Sequence, residues 1–279
     1  MNTVSAYKKA LGFAKCHYEN FPVVSFLIPK KLRKDVAIIY WFARTADDYA
    51  DEGNLTQEQR LEKMNSFEAR LTALLSGEIK DEYELALYET IRKNKLSPEH
   101  FYNLLKAFKQ DVIKKRYYNF TELEEYCRNS ANPVGRLILE LFNIRNPEAL
   151  AYSDNICTAL QLTNFYQDIK SDYQKGRIYL PMDEMEYFGV EEKVFQLNEN
   201  SLNFKRLIKY NIERTRALFD SGKNLLSFLD GKLKIEIKWT ILDGEAILKK
   251  IEDADYDAIH QRPKLSGKDF FLLLIKSIT

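Results

Sequence analysis

The stretch Tyr40-Trp-Phe-Ala-Arg44-Thr-Ala-Asp47-Asp48-Tyr-Ala-Asp51 decides how the rest of the chain is interpreted. As a helix it places Tyr40, Arg44, Asp47 and Asp51 at positions i, i+4, i+7 and i+11, within an arc of roughly 60°. The neighbouring residues are mostly apolar or small, and charges on such a helix are costly to bury without partners. This first stripe is therefore either a solvated face with an intrahelical salt bridge or half of a binding site.

A second polar stripe follows in the segment Gln161-Leu-Thr-Asn164-Phe-Tyr-Gln-Asp168-Ile-Lys-Ser-Asp172. On a helix, Gln161, Asn164, Asp168 and Asp172 share an arc of roughly 80°. Two such stripes on separate helices are harder to explain as solvated surface than one. Carboxylate and amide oxygens are the ligands that Mg²⁺ prefers, commonly together with phosphate oxygens of a substrate. The second stripe therefore favours a magnesium-dependent diphosphate site over a pair of surface salt bridges.

Basic side chains near the stripes suit the oxygens of a diphosphate. If the two helices face each other in a bundle, the opposed carboxylates repel each other and need cations between them. Arg44 lies in the first stripe, and Lys175 and Arg177 come just after the second. The guanidinium group has the fork geometry that matches phosphate oxygens. We therefore predict that a diphosphate and its metal ions bind between the stripes.

The composition predicts an all-α protein. The 279 residues are 45% hydrophobic, whereas Gly at 10 and Pro at 7 are sparse, which favours helices over strands. Helical periodicity recurs along the chain, so we predict a single domain over 1–279 with about ten helices. Capping boxes are predicted at Thr56 to Gln59 and Thr121 to Glu124. Pro133 is predicted to kink a helix that ends near 142, 147–174 to form one long helix, and 189–200 to form a loop.

The remaining sequence features mainly exclude classes of protein. The net charge of +1 gives no basis for nucleic-acid binding. The three cysteines form no CxxC pair, which predicts reduced thiols in a cytoplasmic protein. The N-terminal segment has no continuous apolar run typical of a signal peptide. The late apolar run from Phe270 to Ile275 is too short to cross a membrane; it is predicted to pack onto the body, and contact with a membrane surface is also compatible with it.

The two motifs resemble the aspartate-rich motifs of the squalene/phytoene synthase family. The segment from Arg44 to Asp51 resembles the first, and 160–172 with Gly176-Arg177-Ile-Tyr179-Leu-Pro181 resembles the second. The resemblance spans about 10–265. It implies an isoprenoid synthase-type α-helical bundle with a central cavity, Mg²⁺ as cofactor and an isoprenoid diphosphate as substrate. A lipid substrate is also compatible with peripheral contact with the inner face of a membrane and with other enzymes of the pathway.

The resemblance also implies roles for individual residues. Tyr40 and four aspartates, at 47, 51, 168 and 172, are expected to be catalytic. The expected metal ligands are Asp47, Asp48, Asp51, Asn164, Asp168 and Asp172. The expected substrate-binding residues are Arg44, Gln161, Arg177, Tyr179, His17 and Asn20.

Several positions depart from the pattern of the condensing members. A His-Ser-Lys-Ser-like segment that holds a prenyl diphosphate is replaced by His17-Tyr-Glu-Asn20, an arginine by Gln167, and a tyrosine of the last helix by Gly244. Together with Tyr126-Cys-Arg-Asn-Ser-Ala-Asn-Pro-Val-Gly135, these residues resemble the branch that converts presqualene diphosphate and water to hydroxysqualene in hopanoid biosynthesis. We expect that activity and find no NADPH site.

Two alternatives stay open on sequence. The first is a condensing prenyltransferase that joins two prenyl diphosphates to presqualene diphosphate, dehydrosqualene or phytoene. The second is a non-catalytic assembly partner of the same fold, against which the two intact motifs argue.

Overall fold

The computed structural model describes residues 3–16 and 27–278. Within these residues the chain forms α-helices, one 3₁₀ helix and turns, without any strand, which confirms the all-α prediction. The described part contains fourteen α-helices rather than about ten, because two predicted long helices are each broken and short helices occur in predicted loops. In this part of the chain no helix is both long and apolar enough to cross a membrane.

Contacts between Cα atoms divide the chain into two compact units. The first comprises Met1–Ile113 and Pro133–Asn146, and the second comprises Lys114–Asn132 and Pro147–Thr279. Each unit is described by itself, and the single domain over 1–279 stays a prediction.

The first unit is organised around the helix that carries the first stripe. This helix, α2 (Lys30–Asp51), contacts the four other helices of the unit that are longer than ten residues. Its buried face includes Ile38, Phe42 and Ala46, and the Phe42 ring packs against Phe67 at 5.0 Å and Phe101 at 5.2 Å. Packing of this face fixes the rotation of α2 and therefore the direction in which the stripe points. The helices are α1 (Thr3–Cys16), α2 (Lys30–Asp51), α3 (Gln57–Leu75), α4 (Glu82–Asn94), α5 (Pro98–Ile113) and, except for its first residue, α7 (Asn132–Leu141).

The second unit is organised around α8, which carries most of the second stripe. Helix α8 contacts α12 and α13, and close approach is possible because glycines lie at the crossings. A β-carbon at Gly222 would lie 2.5 Å from Ile156 Cγ1, and one at Gly244 would lie 2.9 Å from Leu160 Cδ2. The helices are α6 (Phe120–Ser130), α8 (Pro147–Gln167), α9 (Ile169–Gln174), α10 (Met182–Tyr187), α11 (Lys193–Leu197), α12 (Leu202–Gly222), the 3₁₀ helix (Lys223–Phe228), α13 (Gly231–Asp253) and α14 (Gly267–Ile278).

One of the two predicted capping boxes is confirmed. The Thr56 hydroxyl accepts a bond from the Gln59 N–H, and the Gln59 side chain accepts one from the Thr56 N–H. The box predicted at Thr121 is wrong, because α6 begins at Phe120 and its cap is Asn119, whose side chain accepts from the Glu122 N–H at 3.0 Å. The Glu122 carboxylate is bound by the Tyr118 N–H and by Lys114, so the first turn starts earlier than the box implies.

The predicted kink at Pro133 is a complete break. Helix α6 ends at Ser130 and α7 begins at Asn132, so Pro133 lies in the first turn of a new helix. Proline is tolerated there because the first turn has no intrahelical acceptor for its missing N–H. Residues 193–197 form α11 where a loop was predicted.

Candidate active site

The first stripe is partly neutralised by an arginine on its own helix. Nη1 of Arg44 lies 3.2 Å from a carboxylate oxygen of Asp47, and its Nε lies 2.8 Å from Asp48. Its Nη2 also lies 3.6 Å from Glu52 just beyond the helix end. The salt-bridge interpretation of the stripe is therefore realised, but one arginine faces three carboxylates. Arg44 alone does not balance these three carboxylates, and a second arginine, Arg60, lies at this end of α2, where it donates to the backbone carbonyls of Glu52 and Gly53.

The surroundings of Asp47 disfavour its charged form. Burial, opposed by Arg44 and assisted by the carboxylates of Asp51, Asp48 and Asp111, raises the pKa of Asp47 to about 6. The Asp47 side chain is 38% exposed. Its pKa is therefore raised by crowding from the surrounding protein and not by full enclosure. A bound cation would relieve this repulsion. Asp111 comes from α5 and was not part of the predicted site.

Tyr40 lies at the other end of the first stripe. It is half-buried, and its ring centroid lies 6.2 Å from that of Phe13 on α1. Tyr40 is close enough to Arg44 for its phenol to favour the charged guanidinium electrostatically. The structure therefore brings Tyr40, Arg44, Asp47 and Asp51 into one electrostatic group, as the spacing predicts.

The second stripe lies across a helix break rather than on one continuous helix. At Asp168 the backbone leaves the α conformation (φ −109°, ψ 14°), which separates α8 from α9. Hydrogen bonds from Asp168 N to Asn164 O and from Asp172 N to Asp168 O, both 2.9 Å, still span the break. The Ser171 hydroxyl also donates to Asp168 O at 2.9 Å. The one-turn spacing of the three ligand-type side chains therefore survives.

Asp168 has a counter-charge that the sequence does not indicate. The Nε and Nη2 groups of Arg262 donate to the two oxygens of the Asp168 carboxylate, with 3.1 Å between Nη2 and Oδ2. The adjacent Gln167 amide donates to the carbonyl of Pro263. Arg262 is 94 residues away in sequence. No spacing rule links Arg262 to the second stripe, and a single arginine before a proline does not indicate a partner for Asp168.

Three predicted site residues of the second unit line one small cavity. Asp172, Arg177 and Tyr179 contribute to its wall. The Arg177 N–H donates to the Asp172 carbonyl at 2.8 Å, and only 8% of the Arg177 residue surface is exposed. The extended segment that follows α9 is held because Ile178 N donates to Lys115 O at 3.0 Å. The wall of the cavity therefore combines the charged residues Asp172 and Arg177 with the aromatic residues Phe165 and Tyr179.

The aromatic rings next to this cavity form a continuous wall. Tyr179 stacks on Phe165 with ring centroids 3.8 Å apart and an angle of 6° between the planes. Tyr117 and Tyr126 pack against Tyr179 at 5.7 and 5.8 Å. Such rings present π faces that attract a cation.

The other predicted residues are only partly placed. Gln161 and Asn164 are half-exposed on α8, where the stripe was predicted. His17 and Asn20 lie outside the described residues, so their substrate-binding role stays a prediction.

The donor set suits a metal ion that is shared with a ligand. Among residues 3–16 and 27–278, no three Asp, Glu, His or Cys side chains lie together closely enough to hold a metal ion by themselves. Mg²⁺ usually needs only one or two carboxylates when phosphate oxygens complete its shell. Each stripe offers two carboxylates one turn apart, and neighbouring carboxylates add to the burial that raises the pKa of Asp47. The residues therefore fit Mg²⁺ held jointly with a diphosphate, and do not form a protein-only cage.

Comparison with known proteins identifies the class to which this fold and site belong. The squalene/phytoene synthase family model matches residues 14–269, and the chain belongs to that family. The membership confirms the isoprenoid synthase-type fold and supports an enzyme that acts on isoprenoid diphosphates.

Individual relatives point to one branch. The chain is 34% identical to the hydroxysqualene synthase of Zymomonas mobilis, over 93% of this chain and 85% of that protein. It is 32% identical to the hydroxysqualene synthase of Rhodopseudomonas palustris, over 88% of this chain and 84% of that protein. The crystal structure of squalene synthase HpnC from Alicyclobacillus acidocaldarius superposes with a TM-score of 0.86 at 35% identity, covering 91% of this chain and 95% of that one. The predicted resemblance is confirmed.

Proposed function

We propose that this protein is a hydroxysqualene synthase that converts presqualene diphosphate and water to hydroxysqualene and diphosphate. The observation that carries the proposal is the similarity to three curated hydroxysqualene synthases at 30–34% identity over 88–93% of the chain. In the reaction, the carbon–oxygen bond breaks and its electron pair leaves with the diphosphate. The cation rearranges, water adds to carbon and a proton is released.

The packing around Gly244 supports this branch over the condensing one. A β-carbon there would lie 2.6 Å from Cζ of Phe219 and 2.9 Å from Cδ2 of Leu160. A tyrosine, as the condensing pattern has on this helix, therefore cannot be added without displacing both neighbours. The surroundings of position 244 are built for a residue without a side chain, which favours a site different from that of the condensing members.

The metal is part of the proposal. On the first stripe we assign Mg²⁺ ligands to Asp47, Asp48 and Asp51, and on the second stripe to Asn164, Asp168 and Asp172. When bound, Mg²⁺ would supply positive charge that stabilises the departing diphosphate.

The chain itself supplies the hydrogen-bond donors for the diphosphate. Arg44 is held at the first stripe by Asp47 and Asp48, and Arg177 is held beside Asp172 by the backbone. A guanidinium can bind two phosphate oxygens at once, which orients the leaving group and stabilises its charge. We assign supporting contacts to the remaining predicted side chains, namely Gln161, Tyr40, His17 and Asn20.

The aromatic wall has a separate role in the proposal. Once diphosphate leaves, the hydrocarbon carries a positive charge in apolar surroundings. The two rings cover each other where they stack, so their outer faces and edges are what would stabilise such a charge by cation–π attraction, without reacting as bases. Stacking at 3.8 Å keeps both rings in place during the rearrangement.

The nature of the substrate extends the proposal to location. Presqualene diphosphate combines a charged head with long hydrocarbon chains. We therefore propose a cytoplasmic enzyme that contacts the inner face of a membrane peripherally and exchanges substrate and product with enzymes of the same pathway.

The test is to supply purified protein with Mg²⁺ and either presqualene diphosphate or farnesyl diphosphate, in water enriched in ¹⁸O. We expect hydroxysqualene that carries ¹⁸O from the first substrate and no product from the second. Turnover of farnesyl diphosphate alone would show a condensing enzyme and refute the proposal. No turnover of either, with binding retained, would favour a non-catalytic relative.

A further inference from the structure

Helix α14 packs onto α13 with only one of its faces. On that face, the ring of Phe270 meets Trp239 edge-on with centroids 6.4 Å apart, and Lys250 lies 3.1 Å from the Asp269 carboxylate. Ser277, the penultimate residue of the helix, is 4% exposed. These contacts fix which side of α14 points outward.

The outward face of α14 is apolar. Phe271, Ile275 and Ile278 lie at i, i+4 and i+7, on one stripe, and are 63%, 45% and 64% exposed. Leu272 beside them is 45% exposed. Of the fourteen large hydrophobic side chains that are exposed in the described part of the chain, five belong to this helix of 12 residues. A surface helix normally turns its polar side to water, so a cluster of this kind marks an interaction surface.

The charges around this face are positive. Lys264, Lys268 and Lys276 are exposed, and Lys268 lies on the outward side one turn before Phe271. The one carboxylate of the helix, Asp269, is already paired with Lys250. Apolar side chains flanked by lysines are typical of helices that lie in the interface of a bilayer with anionic lipids.

A second copy of the chain fits this face less well. The outward apolar side chains expose on the order of a few hundred Å², below the ~800 Å² per partner of a stable protein interface. Apposed copies would also bring like-charged lysines together.

We propose that the outward face of α14 docks the protein onto anionic lipid bilayers, with Phe271, Ile275 and Ile278 inserted at the headgroup boundary and the lysines against lipid phosphates. The inference rests on the proposed function only in that an isoprenoid substrate gives a reason for membrane contact. It concerns a surface, not the reaction.

The experiment is co-sedimentation of the full chain with vesicles of phosphatidylcholine alone or with 30% phosphatidylglycerol, without substrate. We expect binding to the anionic vesicles that weakens with salt. Phe271→Ser/Ile275→Ser should reduce it at least tenfold, and Lys264→Gln/Lys268→Gln on the order of tenfold. Matched controls are Tyr187→Ser/Leu202→Ser, which removes exposed apolar residues elsewhere in the same unit, and Lys8→Gln/Lys80→Gln; both should bind like the parent.

Equal binding by the parent and Phe271→Ser/Ile275→Ser, or no binding by the parent at low salt, would overturn the proposal. So would a loss of dimer mass in Phe271→Ser/Ile275→Ser with vesicle binding unchanged, which would show a face between copies. Circular dichroism and thermal unfolding establish that each variant is folded. Turnover of detergent-dispersed presqualene diphosphate is measured in parallel. A protein that binds vesicles but fails this assay contradicts the proposed function and leaves the docking face intact.

Discussion

The two acidic stripes obtain their counter-charges in different ways. In the first, Arg44 on the same helix lies within 3.2 Å of Asp47. In the second, Asp168 is paired with Arg262, which is 94 residues further along the chain and lies between two helices. The first stripe is therefore a local property of α2, whereas the second depends on how a distant segment is anchored. Similar motifs can thus respond differently to the loss of one charge.

The largest effect should come from removing one carboxylate of either stripe. Asp47→Asn or Asp168→Asn keeps the shape but removes charge that we assign to Mg²⁺, so kcat for presqualene diphosphate should fall on the order of 10²–10³-fold. In the parent protein, Mg²⁺ and inorganic diphosphate added together at about 100 times the Kd of diphosphate should raise Tm by roughly 5–10 °C. Neither should raise Tm when added alone.

The matched control for these variants is Asp253→Asn, an exposed aspartate on α13 whose side chain is 61% exposed. It should keep both the activity and the joint stabilisation. Unchanged turnover in Asp168→Asn would rule out the assigned role of the second stripe.

An intermediate effect should separate the local counter-charge from the distant one. In metal-free protein, Arg262→Gln should speed tryptic cleavage after Lys264 and Lys268 about two- to fivefold, the opening expected from losing a partly exposed ion pair. Arg44→Gln should leave cleavage there unchanged, because its partners lie on or next to its own helix. Peptide mapping by mass spectrometry gives the rates. Equal rates in both variants would show that the Gln167 bond to Pro263 alone holds the segment.

The smallest effect concerns Asp243 on α13. No cation is among the groups that shift the pKa of its carboxyl group. Burial and, to a smaller extent, the charge of Glu236 raise the pKa of Asp243 to about 7, and the Trp239 indole opposes the rise although the pair falls short of a hydrogen bond. Because the folded state holds this proton more tightly than the unfolded state, the group lowers stability as pH rises from about 4 to 7.

Asp243→Asn should therefore gain on the order of 1 kcal/mol at pH 8, or roughly 2–4 °C in Tm, and the gain should vanish near pH 4. Thermal unfolding across this pH range, with Asp253→Asn as control, measures it. A gain that persists at low pH would mean that packing rather than charge is responsible.

Features set by neighbours in sequence could be predicted. The spacing of Tyr40, Arg44, Asp47 and Asp51 placed them in one electrostatic group, and the Thr56 to Gln59 box caps α3 as expected. Both depend only on helical geometry within a few turns.

Features set by tertiary contacts could not. Asn119 and Thr121 are both suitable caps, and the choice between them is made by Lys114 and the Tyr118 N–H, which bind Glu122. The break at Asp168 interrupts a pattern that is fully helical in sequence. Its carboxylate is bound by Arg262 instead of capping α9, and periodicity carries no information about that partner.

The crossing at Gly244 also constrains how this protein can change by mutation. Since Phe219 and Leu160 fill the volume that a side chain at position 244 would need, replacement of Gly244 by tyrosine is blocked while Phe219 is present. A smaller residue at 219 would have to come first and would by itself leave a void. A stepwise change at this crossing therefore passes through a destabilised intermediate, so the order of the two substitutions matters as well as their identity.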